Sequence, residues 1–534
     1  MISDKFWKYF QNQSTLKLFF FTAAAVLLLR LPTLFVEYYD IDVLTSFLNA
    51  KAYLSGLAYD ENKGPFYHMI LNFCLKISGG KETVFHFAGI LIVILTSFLI
   101  YLFGKKIYGK SEGLLAAFFY GVYISAFNRQ FLAINGEIVY NLFFILSFYF
   151  FYLFLFEKKR LFFFPLMISM VLAAGTKFQG IWAFLSLSVY FFLIHPFFIY
   201  EGKKKRNYFF AVFSVVLVFV IAIIVDWNKT GLVFNEKLKG KIGGFIGYIT
   251  ARDFSFLLFF RNLFHRVGIL SFYHNLLWIF GVMKIIEILK AKRKDLKEIY
   301  LLSIVIFLFL STFLTGDRLY FHYFVQIYPI LAVFASKKIL EILEKPKVKK
   351  RLFYLFLFPV LFFFLWNTKD ALIKNLKPEW FYNEGKFLYY TRLVLANQDN
   401  DYLLPHPAYL KALEYLKKNS KPSDTVFAWP DGAEFIYFSG NRSATVNFWH
   451  SIGPINAILD FQKGKIKNTD GYQKEFIRVI QDIQADYFVD ISMSPVVYLH
   501  RLKGLDNFPL VIGYLNSSHQ YIGQFGIVRI WKKK

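Results

Sequence analysis

Apolar stretches long enough to cross a bilayer recur along this chain, and no other feature constrains its fold as much. They fall near 15–36, 83–104, 112–128, 134–156, 160–176, 179–199, 207–227, 267–288, 299–315, 319–340 and 351–367, about eleven in all. In hydrocarbon a backbone amide must find its partner within the protein, so runs of this length predict helices. The composition agrees: 56% of the 534 residues are hydrophobic and 69 are Phe, a load that soluble domains do not carry. A polytopic α-helical membrane protein is therefore the expected class. A single cysteine, Cys74, leaves no pair for a disulfide within these residues. No small-residue cleavage site follows the first apolar run, which is expected to remain as an uncleaved span.

The net charge of +26 would by itself suit a nucleic-acid binder, but its distribution points elsewhere. The clusters GKKIYGK (104–110), EKKR (157–160), EGKKKRN (201–207), LKAKRKDLK (289–297) and EKPKVKKR (344–351) occupy every second loop. Short basic loops stay in the cytoplasm, so all five agree on a cytoplasmic N-terminus and an odd number of spans. The excess charge is then a topology signal in a cell membrane (inner or plasma) protein, and no nucleic-acid partner is expected. The loops 37–82, 129–133, around 177, 228–266 and 316–318, with everything after 367, fall on the outer side. Two outer stretches, FSFLLFFRNLFHRVGIL and 42–55, have the spacing of amphipathic helices lying in the membrane interface. Asp42 suits the N-cap of the second.

Beyond about residue 400 the composition shifts. HPAYLKALEYLKKN reads as a helix, DTVFAWP and ADYFVDIS as strands, AEFIYFSG as helix or turn, and the terminal YIGQFGIVRIWKK alternates like a strand. The expected organisation is a membrane domain over 1–370 and an extracytoplasmic α/β domain over 371–534.

Several ionisable residues collect near helix ends on the expected outer face: Asp40, Asp42, Asp60, Lys63, Glu137, Lys177, Asp317, Arg318 and His322. Charged groups near membrane depth are costly and tend to be functional. Each also has a plainer reading. Asp40 and Asp42 are either a solvated loop with a cap or a base that takes a proton from an acceptor hydroxyl. Lys63, in NKGPFY, is either a lysine reaching to the headgroups or a phosphate-binding cation, with Gly64 and Pro65 fixing the turn into the next helix. Glu137 is either a helix-dipole partner or a second acidic site residue. Lys177 lies on the outer side against the charge bias, which favours a functional role. Tyr323 suits an aromatic belt. There is no glycine-rich nucleotide loop, Cys/His metal cluster or Ser/His/Asp motif. An outer-face transferase has no access to cytoplasmic nucleotide sugars, so its donor would be lipid-borne.

The stretch 38–67 resembles the first outer loop of the GT-C glycosyltransferases of the protein O-mannosyltransferase and aminoarabinose-transferase superfamily. Asp42, Ala50, Gly56, Tyr59, Asp60, Lys63, Gly64 and Pro65 fit its order, with Val43 where the family usually has Glu. AINGEIVYNLFFILSFYFF through Glu137, GTKFQG through Lys177 and GDRLYFHYFVQIYP through Arg318, His322, Tyr323 and Pro329 are similar to further family segments. The opening of the terminal α/β domain, YLKKNSKPSDTVFAWPDGAEFIYFSGNRSAT, is similar as well. The resemblance implies a GT-C fold and inverting transfer from a polyprenyl-phosphate-linked sugar to a lipid, glycan or protein acceptor at the membrane. It implies Asp42 as base with Asp40 beside it, Lys63, Arg318 and Lys177 on the donor phosphate, and Glu137, His322, Tyr323 and Asp60 in substrate binding. A divalent cation, if one is used, would be held by Asp42 and Glu137. The rival readings are a flippase for lipid-linked sugars and a glycan polymerase or ligase.

Overall fold

The protein is described from a computed structural model, over residues 15–35, 41–54, 64–79, 83–125, 129–208, 256–292, 295–313, 321–343, 358–368, 409–430, 432–444, 468–493 and 504–534. Its contacts divide it into two units. One joins Met1–Arg30, Gly89–Phe127 and Gly136–Phe364; the other joins Leu31–Ala88, Asn128–Asn135 and Leu365–Lys534.

The first unit is helical. Its elements are α1 (Thr15–Arg30), most of α4 (Thr83–Ile107), α5 (Lys110–Tyr123), α6 (Gly136–Leu155), α7 (Phe163–Thr176), α8 (Ile181–Ile199), α9 (Phe256–Tyr273), α10 (Asn275–Lys290), α11 (Leu296–Phe313), a 3-10 turn at Phe321–Ile327 and α12 (Tyr328–Leu343). Among the described residues four helices are long and apolar enough to cross a membrane: Val84–Ile107, Gly136–Leu155, Ile181–Ile199 and Phe321–Leu343. The bent pair α9–α10 adds a fifth if it counts as one span. Shorter apolar helices at Phe19–Leu34, Arg160–Thr176 and Phe358–Thr368 fall on three more of the eleven expected runs, and most of 207–227 lies outside the described residues. Phe321–Leu343 is the least apolar, at a mean hydropathy of 1.2, and 89% of its most apolar 18-residue stretch is buried. Its surroundings are protein, so it needs less apolar surface than a lipid-facing helix.

Glycines set how closely these helices approach. A Cβ on Gly113 would lie 2.5 Å from the Tyr101 carbonyl oxygen and 2.6 Å from the Lys105 nitrogen, so α4 and α5 meet backbone to backbone. On Gly281 a Cβ would press on Leu331 of α12. At the end of α1 the buried Arg30 donates from Nε to Ser125 Oγ (3.0 Å) and from Nη2 to the Ile124 carbonyl (2.9 Å).

The residues flanking the basic loops are clamped together. Glu157 accepts from Lys106 at 2.7 Å and pairs with Lys159 at 2.7 Å; Lys284 pairs with Glu298 at 3.1 Å and Glu341 at 3.3 Å. The hydrogen bonds from Lys106 and then Lys159 hold the Glu157 carboxyl below its ordinary range.

One expected boundary moves. A span was expected to start at 267 after an interfacial helix, but the helix runs from Phe256 through Tyr273 and the chain then turns by 114° into α10. The break falls at His274, whose backbone leaves the helical region and whose ring Nδ1 lies 2.6 Å from the Tyr328 hydroxyl. A polar side-chain tie, invisible in a hydropathy profile, decides the corner. The amphipathic character of α9 is present: Phe259, Leu263 and Leu270 are buried on one face, while Arg261, Phe264, His265 and Phe272 are exposed on the other.

The second unit contains α2 (Ile41–Leu54), α3 (Pro65–Ser78), α14 (Leu410–Asn419), β1 (Thr425–Trp429), α15 (Ala433–Ser439), β2 (Arg442–Ser443), α16 (Asp470–Ile483), β3 (Tyr487–Asp490), α17 (Pro509–Ser518), β4 (His519–Phe525) and β5 (Val528–Lys533), with α13 (Phe358–Thr368) crossing from one unit to the other. The sheet order is β2-β1-β3-β5-β4, with β2, β1 and β3 parallel and β5 and β4 an antiparallel hairpin. The terminal stretch read as one alternating strand is thus two, turned at Gly526, whose φ of 68° suits glycine. Both sheet faces are covered. Val426, Ala428, Tyr487 and Val489 face α14 and α15; Phe427, Trp429 and Phe488 face α16 and α17. Strands buried on both sides read as continuous apolar runs, as DTVFAWP does.

Two expectations about the first loop are resolved here. Gly64 does precede α3, with Pro65 at its start, as the NKGPFY turn implied. The stretch 42–55 is not an interfacial helix with one wet face. Every residue from Val43 to Ala50 is buried, Thr45, Ser46 and Asn49 included. The spacing of its leucines gave one apolar side correctly, and that side packs on residues far away in the chain, Ala433 and Ile436 among them. The helix begins at Ile41, so Asp42 lies within its first turn and not at the cap.

Candidate active site

Three separate elements of the helical unit bring charges together. Gly136 and Glu137 open α6, and Glu137 is 2% exposed. Lys177 terminates α7 in an extended conformation (φ −155°, ψ 144°), and its amide still donates to the Ala173 carbonyl at 3.3 Å. The third element is the turn Phe321–Ile327, which carries His322 and Tyr323.

The Lys177 ammonium donates to Glu137 Oε1 in a close ion pair, and the same oxygen lies 3.7 Å from His322 Nε2. Lys177 also sits over the Tyr323 ring, 5.4 Å from its centroid. The local sequence explains the geometry. After Lys177 the chain folds back so tightly that a Cβ on Gly180 would fall 2.0 Å from the Ala173 carbonyl oxygen, and Gly180 donates to the Lys177 carbonyl at 2.7 Å. A Cβ on Gly136 would meet the Lys177 stem at 3.2 Å, so the glycine before Glu137 gives the lysine its path. GTKFQG and INGEI thus interlock.

One turn along α6 a second polar layer fastens the same elements. Tyr140 donates to Gln326 Oε1 at 3.1 Å, Asn141 donates to the Val325 carbonyl at 2.9 Å, and Gln326 donates to the Leu308 carbonyl at 2.9 Å and to Ser311. Reading the sequence missed these residues. A signal was present, because Glu137, Tyr140 and Asn141 stand at i, i+3 and i+4 in an otherwise apolar run.

The structure therefore brings together Glu137, Lys177, His322 and Tyr323. Asp40, Asp60, Lys63 and Arg318, and the Asp42 side chain, lie outside the described residues. A buried carboxylate and ammonium offset each other's desolvation only as a pair. Glu137 can fix His322 and hold a charged patch at the membrane; its charge is already matched by Lys177.

Residues 62–227 match the model of the dolichyl-phosphate-mannose-protein mannosyltransferase family. That match contains Lys63, Glu137 and Lys177. No curated protein sequence matches the chain. The fold is similar to the oligosaccharyltransferase AglB from Archaeoglobus fulgidus in complex with an inhibitory peptide and a dolichol-phosphate, at 13% identity and a TM-score of 0.54, covering 98% of this chain and 75% of that one. It is similar, too, to ArnT from Cupriavidus metallidurans bound to undecaprenyl phosphate, at 13% identity and a TM-score of 0.52, covering 97% and 98%. The chain shares the GT-C fold of these two proteins. In this protein Glu137 is a poor fit for the divalent cation that the resemblance raised. A cation on its carboxylate would face the Lys177 ammonium, and no three His, Cys, Asp or Glu residues among the described ones are grouped as metal ligands.

Proposed function

We propose that this protein transfers a sugar from a polyprenyl-phosphate donor to a lipid, glycan or protein acceptor at the outer face of the cell membrane, with inversion at the anomeric carbon. The observation that supports it most is the buried Glu137–Lys177–His322 constellation, built from three elements of a helical unit with the GT-C fold. Asp42 takes the proton from the acceptor hydroxyl or amine as that group attacks the anomeric carbon. The bond from that carbon to the phosphate oxygen breaks, and its electron pair leaves with the polyprenyl phosphate. Lys63 and Arg318 stabilise the charge that collects there, an electrostatic contribution usually among the largest in such a reaction. Glu137, with Lys177 neutralising it, orients His322 and Tyr323 toward the substrate.

The direct test is incubation of the purified protein with polyprenyl-phosphate sugars and release of free polyprenyl phosphate, paired with mass spectrometry of surface glycans and lipids from a deletion strain. Release that depends on Asp42 supports the reading. A deletion strain with unchanged surface glycans and lipids, together with no release from any donor, refutes it.

A further inference from the structure

The mixed unit joins a stretch of the first loop to the terminal sheet, and the join is specific. From α2, Leu44 (1% exposed) and Leu48 (7% exposed), one turn apart, enter the same core cluster as Ala433 and Ile436 of α15. The next face of the helix carries Phe47, whose ring meets Phe85 at 5.2 Å and Tyr437 of α15 at 6.5 Å, both edge-on. The seat is itself held tightly. A Cβ on Gly432 would fall 2.1 Å from the Ala428 Cβ, so α15 folds directly back onto β1. An unbroken path of packed groups therefore runs from the sheet through α15 and Leu44 to the first turn of α2, where Asp42 stands two residues before Leu44.

We infer that the terminal α/β domain is a clamp that positions the catalytic carboxylate, with Leu44 and Leu48 as positioning residues. The inference rests on the glycosyltransferase reading of Asp42. A general base must be held near its proton donor, and displacement by about 1 Å costs roughly a hundredfold in rate. A loop at a membrane surface does not supply that precision; a helix buried on every side from Val43 to Ala50 does.

The test uses the full chain in lipid nanodiscs. Cys74, the one cysteine, is buried and is replaced by serine to leave a clean background. A nitroxide is attached through Asp42→Cys. The label is expected to be immobile, and Leu48→Ala or the gentler Ile436→Val is expected to loosen it. In protein with native Asp42, Leu48→Ala should lower kcat by about ten- to a hundredfold with donor KM nearly unchanged, and Leu48→Met should restore most of it. In an Asp42→Asn background Leu48→Ala should add no further loss. A label that stays rigid in both variants, or an equal loss in both backgrounds, overturns the clamp while leaving the transferase reading intact. Wild-type transfer by Asp42→Asn instead removes the catalytic role of Asp42 and the clamp's purpose with it.

Discussion

Lys177 and Glu137 illustrate how single residues carry both stability and function here. Removing only the ammonium strands a carboxylate that is 2% exposed. Lys177→Met is therefore expected to destabilise the protein by about 3–5 kcal/mol, while the double change Lys177→Met with Glu137→Gln should recover much of that, because no isolated charge remains. Thermal unfolding of the two purified variants beside the wild type measures the difference. Asp42→Asn keeps shape and hydrogen bonding but takes no proton at neutral pH, and should cost about 10²–10⁴ in transfer rate. Since Asp42 lies inside the first turn of α2, a purely structural aspartate there would tolerate asparagine. If Asp40→Asn is the inactive variant instead, the base is two residues upstream. Lys63→Ala and Arg318→Ala should each lose on the order of a hundredfold through weaker stabilisation of the leaving phosphate, with insertion unchanged.

Between elements, the decisive contacts are those where no side chain fits. Gly113 faces backbone atoms of α4 that cannot move aside, whereas Gly281 faces chiefly the movable end of Leu331. Gly281→Ala is expected to cost about 1–3 kcal/mol of overpacking, and Gly113→Ala distinctly more, with separation of α4 from α5. Equal melting shifts for the two would count against this account. In the sheet, Arg529 reaches across from β5 to Asp490 at the end of β3, donating from Nε at 2.9 Å and Nη2 at 2.6 Å to one carboxylate oxygen. Asp490 is fully buried, and burial pushes its carboxyl up against the opposing pull of Arg529. Arg529→Met should destabilise the mixed unit by about 3–5 kcal/mol, measured by local hydrogen exchange in β3 and β5.

For the molecule as a whole, two consequences follow from chain organisation. From the alternating basic loops we propose that the N-terminus lies inside and the terminal domain outside. With Cys74 replaced, Tyr521→Cys on an exposed strand should react with an impermeant thiol reagent in intact cells, and Lys203→Cys only after permeabilisation. The reverse pattern would show the opposite orientation. A fragment 371–534 made alone lacks Leu44 and Leu48 and should expose their apolar seat. It is expected to bind a hydrophobic dye and to be less protected from protease than the same residues in the full chain.

Much of the fold is legible in the sequence. The apolar runs and basic clusters marked a helical membrane protein, because solvation of the backbone by lipid and the charge bias across a membrane act on local sequence; the GT-C fold was implied by the resemblance of its motifs to that superfamily. The strands at 424–430 and 485–492 were legible for a similar reason, since a short apolar run between polar turns has few other uses. Glu137, Lys177, His322 and Tyr323 could be nominated singly, but their convergence could not, because it depends on Gly136 and Gly180 admitting chain segments separated by dozens of residues. The corner at His274 rests on a hydroxyl of Tyr328, more than fifty residues away. The burial of α2 depends on a domain that begins hundreds of residues later. Local sequence set which segments are apolar and helical; which charges meet, and what holds Asp42's helix, was decided by packing between distant segments, where energies depend on contacts that no local window contains.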